Sequence, residues 1–171
     1  MDDIIRISSS TRWEPVFGYS RAVRIGDLVV VSGTTATNES GAVVAVNQMY
    51  SQARQTIANI GAALTRAGAS LSDVIRTRVF VTDITRFREI ARAHSEAFGS
   101  SPPASTMVEV RRLIHPDMLI EIEADAIIRS AHEPASSAKS GTPAKNNKTT
   151  KPKAKAKTSG ATSRSKPSRR K

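Results

Sequence analysis

The chain has 171 residues, no cysteine and a formal net charge of +11. Without cysteine there is no disulfide, thiol nucleophile or thiolate metal site. The charge is unevenly placed: residues 1–130 hold 14 Arg and 14 acids and balance to zero, while residues 131–171 hold 9 Lys and 3 Arg against Glu133 alone.

The chain starts Met-Asp-Asp, not with a basic region ahead of an apolar one, so no secretory signal is expected. No apolar run approaches the ~20 residues of a membrane span. These features lead us to expect a soluble, cytoplasmic protein.

Residues 4–7 (IIRI) read as a short edge strand. Residues 20–25 and 28–32 read as two strands joined at Gly26-Asp27, a good hairpin turn. Asn38-Glu39-Ser40-Gly41 is a second turn, and AVVAV (42–46) after it reads as a short extended piece. Over residues 48–67 the period changes: Ala53, Ile57, Ile60, Leu64 and Ala67 recur at helical spacing. Gly68 is a suitable helix stop. Gly61 inside that helix costs ~1 kcal/mol against alanine, and close packing on a sheet would explain it.

Residues 74–82 (VIRTRVFVT) alternate as a strand. Residues 85–98 read as a second helix with Phe87, Ile90, Ala91, His94 and Phe98 on one face; on that face His94 is expected to be packed or hydrogen-bonded. Residues 102–128 hold a proline-marked turn, a short strand, a second turn and a last strand. In that strand Ile120, Ile122, Ala124, Ala126 and Ile128 share one face, and Glu121, Glu123 and Asp125 share the other. The order β-β-β-α-β-α-β-β places two helices on one face of a mixed sheet, an α+β domain. The other face carries Arg76 and Arg78 as well as the acids. Like charges on one strand face repel unless cations sit beside them, so the expected solution is a closed homo-oligomer in which these arginines and carboxylates pair.

Three segments, GYSRAVRIGDLVVVSG (18–33), QARQTIANIGAALTRAGASLSDVIRTRVFVTDI (52–84) and PASTMVEVRRL…LIEIEADAI (103–127), together resemble the Rid family. These are the reactive-intermediate deaminases, also called the YjgF family or endoribonuclease L-PSP. The resemblance is colinear over residues 4–129 and leaves the tail outside. It implies a chorismate-mutase-like fold, a trimeric barrel of sheets, and small-molecule sites in the clefts between subunits. It further implies hydrolysis of imine or enamine acids without metal or organic cofactor.

Carried over by position, the family's tyrosine falls on Tyr19, its Ser-Gly on Ser32 and Gly33, and its water-orienting glutamate on Glu121. Backbone N–H groups near Gly33 or Met107 would hold developing negative charge. The family's carboxylate-clamping arginine falls on Ser105, a departure. A serine hydroxyl supplies one donor and no charge. Another arginine would have to serve, with Arg21, Arg92 and Arg111 as candidates. Arg21, two residues past Tyr19, points to the same side of an extended segment. Together with Phe17 and Met107 this implies a larger or less anionic ligand.

Plainer readings stand beside these. Glu121 could be an ion-pair partner of Arg76 or Arg78, Tyr19 and Arg21 a surface pair, and Ser105 a turn residue; no GxSxG surrounds Ser105. His94, His115 and His132 do not make a metal-binding spacing, so no metal site is expected. The rival to an enzyme is a ligand-binding or chaperone-like module, and a third reading is a nucleic-acid-associated protein.

The tail (131–171), rich in Ala, Lys, Ser, Thr and Pro, lacks the apolar residues to offset the entropy of ordering and reads as a disordered arm. One-signed lysine-rich charge favours polyanions without reading sequence. Deleting 131–171 is therefore expected to abolish retention on DNA-cellulose at low salt while leaving the oligomeric mass per domain unchanged. Unaltered retention would assign the tail a solubilising role instead.

Overall fold

The computed structural model describes residues 3–9 and 11–129. The expectations for the basic tail lie outside these residues. One mixed sheet carries the architecture. Its strands are β1 (Ile4–Ile7), β2 (Ala22–Ile25), β3 (Leu28–Thr35), β4 (Val74–Val81), β5 (Ala104–Glu109) and β6 (Ile120–Ile127), in the spatial order β1-β2-β3-β6-β4-β5. All neighbours are antiparallel except β4 and β5, which are parallel. A parallel pair needs a crossover, and α3 (Phe87–Phe98) supplies it. The last strand in sequence thus sits between β3 and β4, hydrogen-bonded on both sides.

The alternation read in β6 is realised. Ile120, Ile122, Ala124 and Ala126 are buried. They join Val29, Val31, Val79 and Val81 from the neighbouring strands in one core, against Ile57, Ile60 and Leu64 of α2 (Met49–Arg66). Full burial of each large aliphatic side chain contributes ~1.5–3 kcal/mol, so this face holds the helices. The opposite face stays open.

The Gly26-Asp27 hairpin forms with Gly26 at positive φ and Ile25 opposite Leu28. The helix 48–67 ends as expected: Gly68 adopts φ 81° and Arg24 Nη1 donates to the Ala67 carbonyl at 2.8 Å.

Several expectations change. A five-residue helix, α1 (Trp13–Phe17), precedes β2. Pro15 fits its first turn, where a missing N–H costs nothing. Strand β3 runs on to Thr35 through an irregularity between Val31 and Thr34. AVVAV does not form a strand and contributes one isolated bridge, Thr37 to Val43. The face of α3 is rotated: Ile90, Ala93 and Phe98 are buried, while Phe87 is 49% exposed. A 3-10 turn at Ile84–Arg86 delays the helix start.

Gly61 does not lie tight against the sheet. A methyl there would meet only Leu71, at an ordinary 3.6 Å. Gly61→Ala is therefore expected to stabilise the domain by about 0.5–1 kcal/mol through lost unfolded-state entropy, measurable by denaturant titration. A destabilised variant would show that the α2–Leu71 contact cannot yield.

Candidate functional site

Tyr19, Arg21, Ser32, Gly33 and Glu121 line one cavity of about 900 Å³. Its construction starts at β3. The irregularity between Val31 and Thr34 turns carbonyl groups inward, and Arg21 receives them. Arg21 Nη1 donates to the Gly33 carbonyl at 2.7 Å and to Thr34 Oγ1 at 2.9 Å, with the Ser32 carbonyl at 3.5 Å. Its Nη2 donates to the Tyr19 hydroxyl at 2.6 Å, and its Nε to Ser9 Oγ at 3.3 Å. Arg21 is only 9% exposed, so the reading of Tyr19 and Arg21 as a surface pair is corrected for Arg21, which sits in an interior network that the half-buried Tyr19 borders.

Glu14 on α1 completes that network. It accepts from Ser8 and from the Ser9 backbone and hydroxyl. Burial alone would raise its carboxyl, but these hydrogen bonds and the charge of Arg21 outweigh burial and hold it below the usual glutamate range. Ser32 Oγ donates to the Ser20 carbonyl at 2.8 Å, fixing the start of β2 to the irregular segment of β3.

Glu121 lies across from Thr35 on one side and Phe80 on the other. Its carboxylate occupies the space where a Cβ on Gly33 would be. Any other residue at position 33 would overlap Glu121 Oε1, which is why glycine fits here. Among the described residues Glu121 makes no hydrogen bond or ion pair. Desolvation pushes its carboxyl above the usual range; the charge of Glu123 adds to this, and Arg21 opposes it. The ion-pair reading of Glu121 is thereby corrected. Arg78 instead pairs with Glu123 and Asp125, each at 3.2 Å, within one chain.

Ser105 is elsewhere. It lines a second cavity of about 550 Å³ on β4 and β5, with Arg76, Arg78, Phe80 and Thr106. Arg78 borders both cavities, so its ion pairs form the ridge between them. The arginines of that cavity are Arg76 and Arg78, not Arg21, Arg92 or Arg111, and they lie on the sheet face opposite the Ser105 hydroxyl. Arg92 is held on α3 by Glu96 at 3.0 Å and lies over the Tyr50 ring, and Arg111 is exposed in the β5–β6 connection. Arg76 makes no ion pair among the described residues. The parallel register sets Ser105 against Thr77, and Ala104 and Thr106 against Arg76 and Arg78, so the Ser105 hydroxyl turns to the helix side, and sequence spacing carries no sign of it.

Thr77 Oγ1 donates to Ser105 Oγ at 2.9 Å and lies 3.1 Å from His94 Nε2. Thr77 has one proton to give, so His94 donates in turn. Burial holds the His94 ring below its ordinary pKa. The expected packed, hydrogen-bonded histidine is present. Met107 lines neither cavity; it packs against the core on the helix side, because it shares the face of Thr77 and Val79. Phe17, 84% exposed, stands at the rim of the larger cavity with Trp13 and Val16. Among the described residues no three His, Asp or Glu side chains converge as metal ligands, and no helix is long and apolar enough to cross a membrane.

The architecture defines a class, the chorismate-mutase-like α+β subunit with two helices on one face of a mixed sheet. Residues 9–128 match the family model described as endoribonuclease L-PSP, and the chain belongs to that family, the Rid or YjgF family. A RutC family protein from Pyrococcus abyssi is 37% identical over 113 residues, covering 66% of this chain and 88% of the relative. The 2-iminobutanoate/2-iminopropanoate deaminase of Escherichia coli is 35% identical over 115 residues, covering 65% and 88%. A YjgF/YER057c/UK114 family structure from Mycobacterium tuberculosis shares 47% identity with a TM-score of 0.68, covering 74% of this chain and all of that one.

The raised carboxyl of Glu121 has a consequence for stability. A folded-state pKa above the unfolded value of 4.5 means that folding favours the protonated form. That contribution is full below the unfolded pKa and is lost as pH rises through the folded one. Glu121→Gln keeps the shape without the charge. Its melting temperature is expected to exceed that of wild type at pH 8, with the gap narrowing toward pH 4. A gap independent of pH would place Glu121 in a solvated setting.

Proposed function

We propose that this chain is a Rid-type hydrolase that adds water to the C=N bond of an imine, or of the imine tautomer of an enamine, and releases ammonia. The observation that carries the reading is the Glu121 carboxylate, without a partner among the described residues, over Gly33 in the larger cavity. A carboxyl raised by burial approaches the range useful for general acid–base work near neutral pH. Glu121 takes a proton from water as its oxygen bonds to the imine carbon. It passes that proton to nitrogen, giving a carbinolamine, and then relays the hydroxyl proton to nitrogen as the C–N bond breaks, leaving a carbonyl and ammonia. Tyr19 positions the substrate. The relatives named 2-iminobutanoate/2-iminopropanoate deaminase, from Escherichia coli and Salmonella typhimurium, support the reaction class.

The assembly belongs to the same proposal. A homotrimer would cover the open sheet face and let the Ser105 cavity of one copy meet the Glu121 cavity of another. Light scattering should then give the mass of three chains. Ser105 supplies a hydroxyl where the family resemblance implies an arginine, so the pole of the substrate nearest it is less anionic.

The test uses imines generated in situ by an amino-acid oxidase, followed by ammonia release. Wild type is expected to accelerate release, and Glu121→Ala to lose about 100-fold or more. Gly33→Ala should fold yet lose activity similarly, because the Glu121 carboxylate must swing away. Ser105→Arg should speed hydrolysis of small 2-imino acids. Failure of wild type on a broad panel of imines would favour the non-enzymatic binding module.

A further inference from the structure

Among the described residues, Arg21 is the one cation buried in the larger cavity's wall, and the proposed reaction leaves it without a role. An arginine has five N–H donors and no acceptor. The Tyr19 oxygen, 2.6 Å from Arg21 Nη2, must therefore accept on that side. Its own proton is turned away from the guanidinium, and Tyr19 lines the cavity. The group that takes this proton is an acceptor: a carboxylate oxygen, a carbonyl, or a nitrogen lone pair. The same guanidinium holds Gly33 and Thr34, and Gly33 is the surface on which the Glu121 carboxylate rests. One side chain thus fixes both the polarity of Tyr19 and the floor under Glu121.

We propose that Arg21 is the positioning residue of this site, acting through Tyr19 and the Ser32–Thr34 segment without touching the reacting atoms, and that it turns the Tyr19 proton toward an acceptor group of the substrate. This rests on the hydrolytic reading above for its kinetic consequences only. Glu14 opposes the charge of Arg21 from α1, anchored by Ser8 and Ser9, so the guanidinium is neutralised behind the cavity rather than within it. The same surroundings explain why Arg21 is not free to clamp a substrate anion in two-pronged fashion: four of its five N–H donors are directed at protein oxygens.

The charged groups around Glu121 are Arg21, just ahead of β2, and Glu123 on its own strand. Arg78 of β4 is engaged with Glu123 and Asp125. Arg66 of α2 and Glu39 of the β3–α2 connection also line the cavity. Arg21 is the group among these whose charge pulls Glu121 downward.

The experiment is a carboxyl ¹³C titration of Glu121 in the full chain, with kinetics on in-situ imines in parallel. In Arg21→Gln the Glu121 midpoint should move to higher pH and kcat fall roughly 100-fold, the scale of a small misplacement of catalytic groups. Arg21→Lys keeps the charge without the fork, so its midpoint should stay near wild type while kcat falls. Tyr19→Phe, which leaves Arg21 in place, should raise KM and leave the Glu121 midpoint unmoved. A folded Arg21→Gln with the wild-type midpoint and rate overturns the inference, as does a Tyr19→Phe variant with wild-type KM. If wild type hydrolyses no imine but the midpoint still moves in Arg21→Gln, the hydrolytic reading fails and the positioning role of Arg21 stands.

Discussion

The arrangement depends on one constraint, the position of β6 between β3 and β4 with its apolar face buried. Ile120, Ile122, Ala124 and Ala126 are held under the two helices from both sides. A slip of one residue would exchange that face for Glu121, Glu123 and Asp125, so the register is pinned by the core. The acids then have nowhere to go but the open face. Three carboxylates on alternate positions repel one another. Arg78 relieves two of them and leaves Glu121 at the end of the row, where desolvation keeps its proton affinity high. Chemistry on one face of β6 is a consequence of packing on the other.

The second determinant is the irregular segment of β3. A regular strand would have sent its hydrogen bonds into the ladder. Between Val31 and Thr34 it presents oxygens that need donors. A buried cation is costly unless its donors are satisfied. Arg21 and the irregular segment solve each other's problem, and Glu14 balances the charge. Gly33 then leaves room for a carboxylate that any side chain would displace. The two cavities flank the ion pairs of Arg78. That separation is the physical reason why, within one chain, Ser105 does not sit beside Glu121.

Regular elements were legible where a strong period ran long enough. The helix at 49–66 carries five turns of apolar spacing and a glycine stop, and the hairpin at Gly26-Asp27 has its own turn chemistry. The five residues of α1 are too few for a period to register. AVVAV has strand composition, but a strand exists only with a partner, and it finds a single bridge. The face of α3 was misphased because Phe87 follows a 3-10 turn that changes the helix start, leaving a large aromatic outside. In the site, Tyr19 and Arg21 could be paired from their spacing of two. Thr77 could not be placed against Ser105, because the β4–β5 pairing is made across a helical crossover.

What the sequence determined by itself was local: alternation in β6, helical period in α2, the family resemblance, and the confinement of net charge to the tail. These are readable because they depend on neighbours within a few residues or on composition. What only the tertiary structure decided was which distant side chains meet. The contact of Glu121 with Gly33 and the diversion of Arg78 to Glu123 and Asp125 join strands far apart in the chain, and the claim of Arg21 on the Gly33 carbonyl spans the hairpin. Their geometry is set by strand order and register, and those follow from how the whole apolar face closes under its helices.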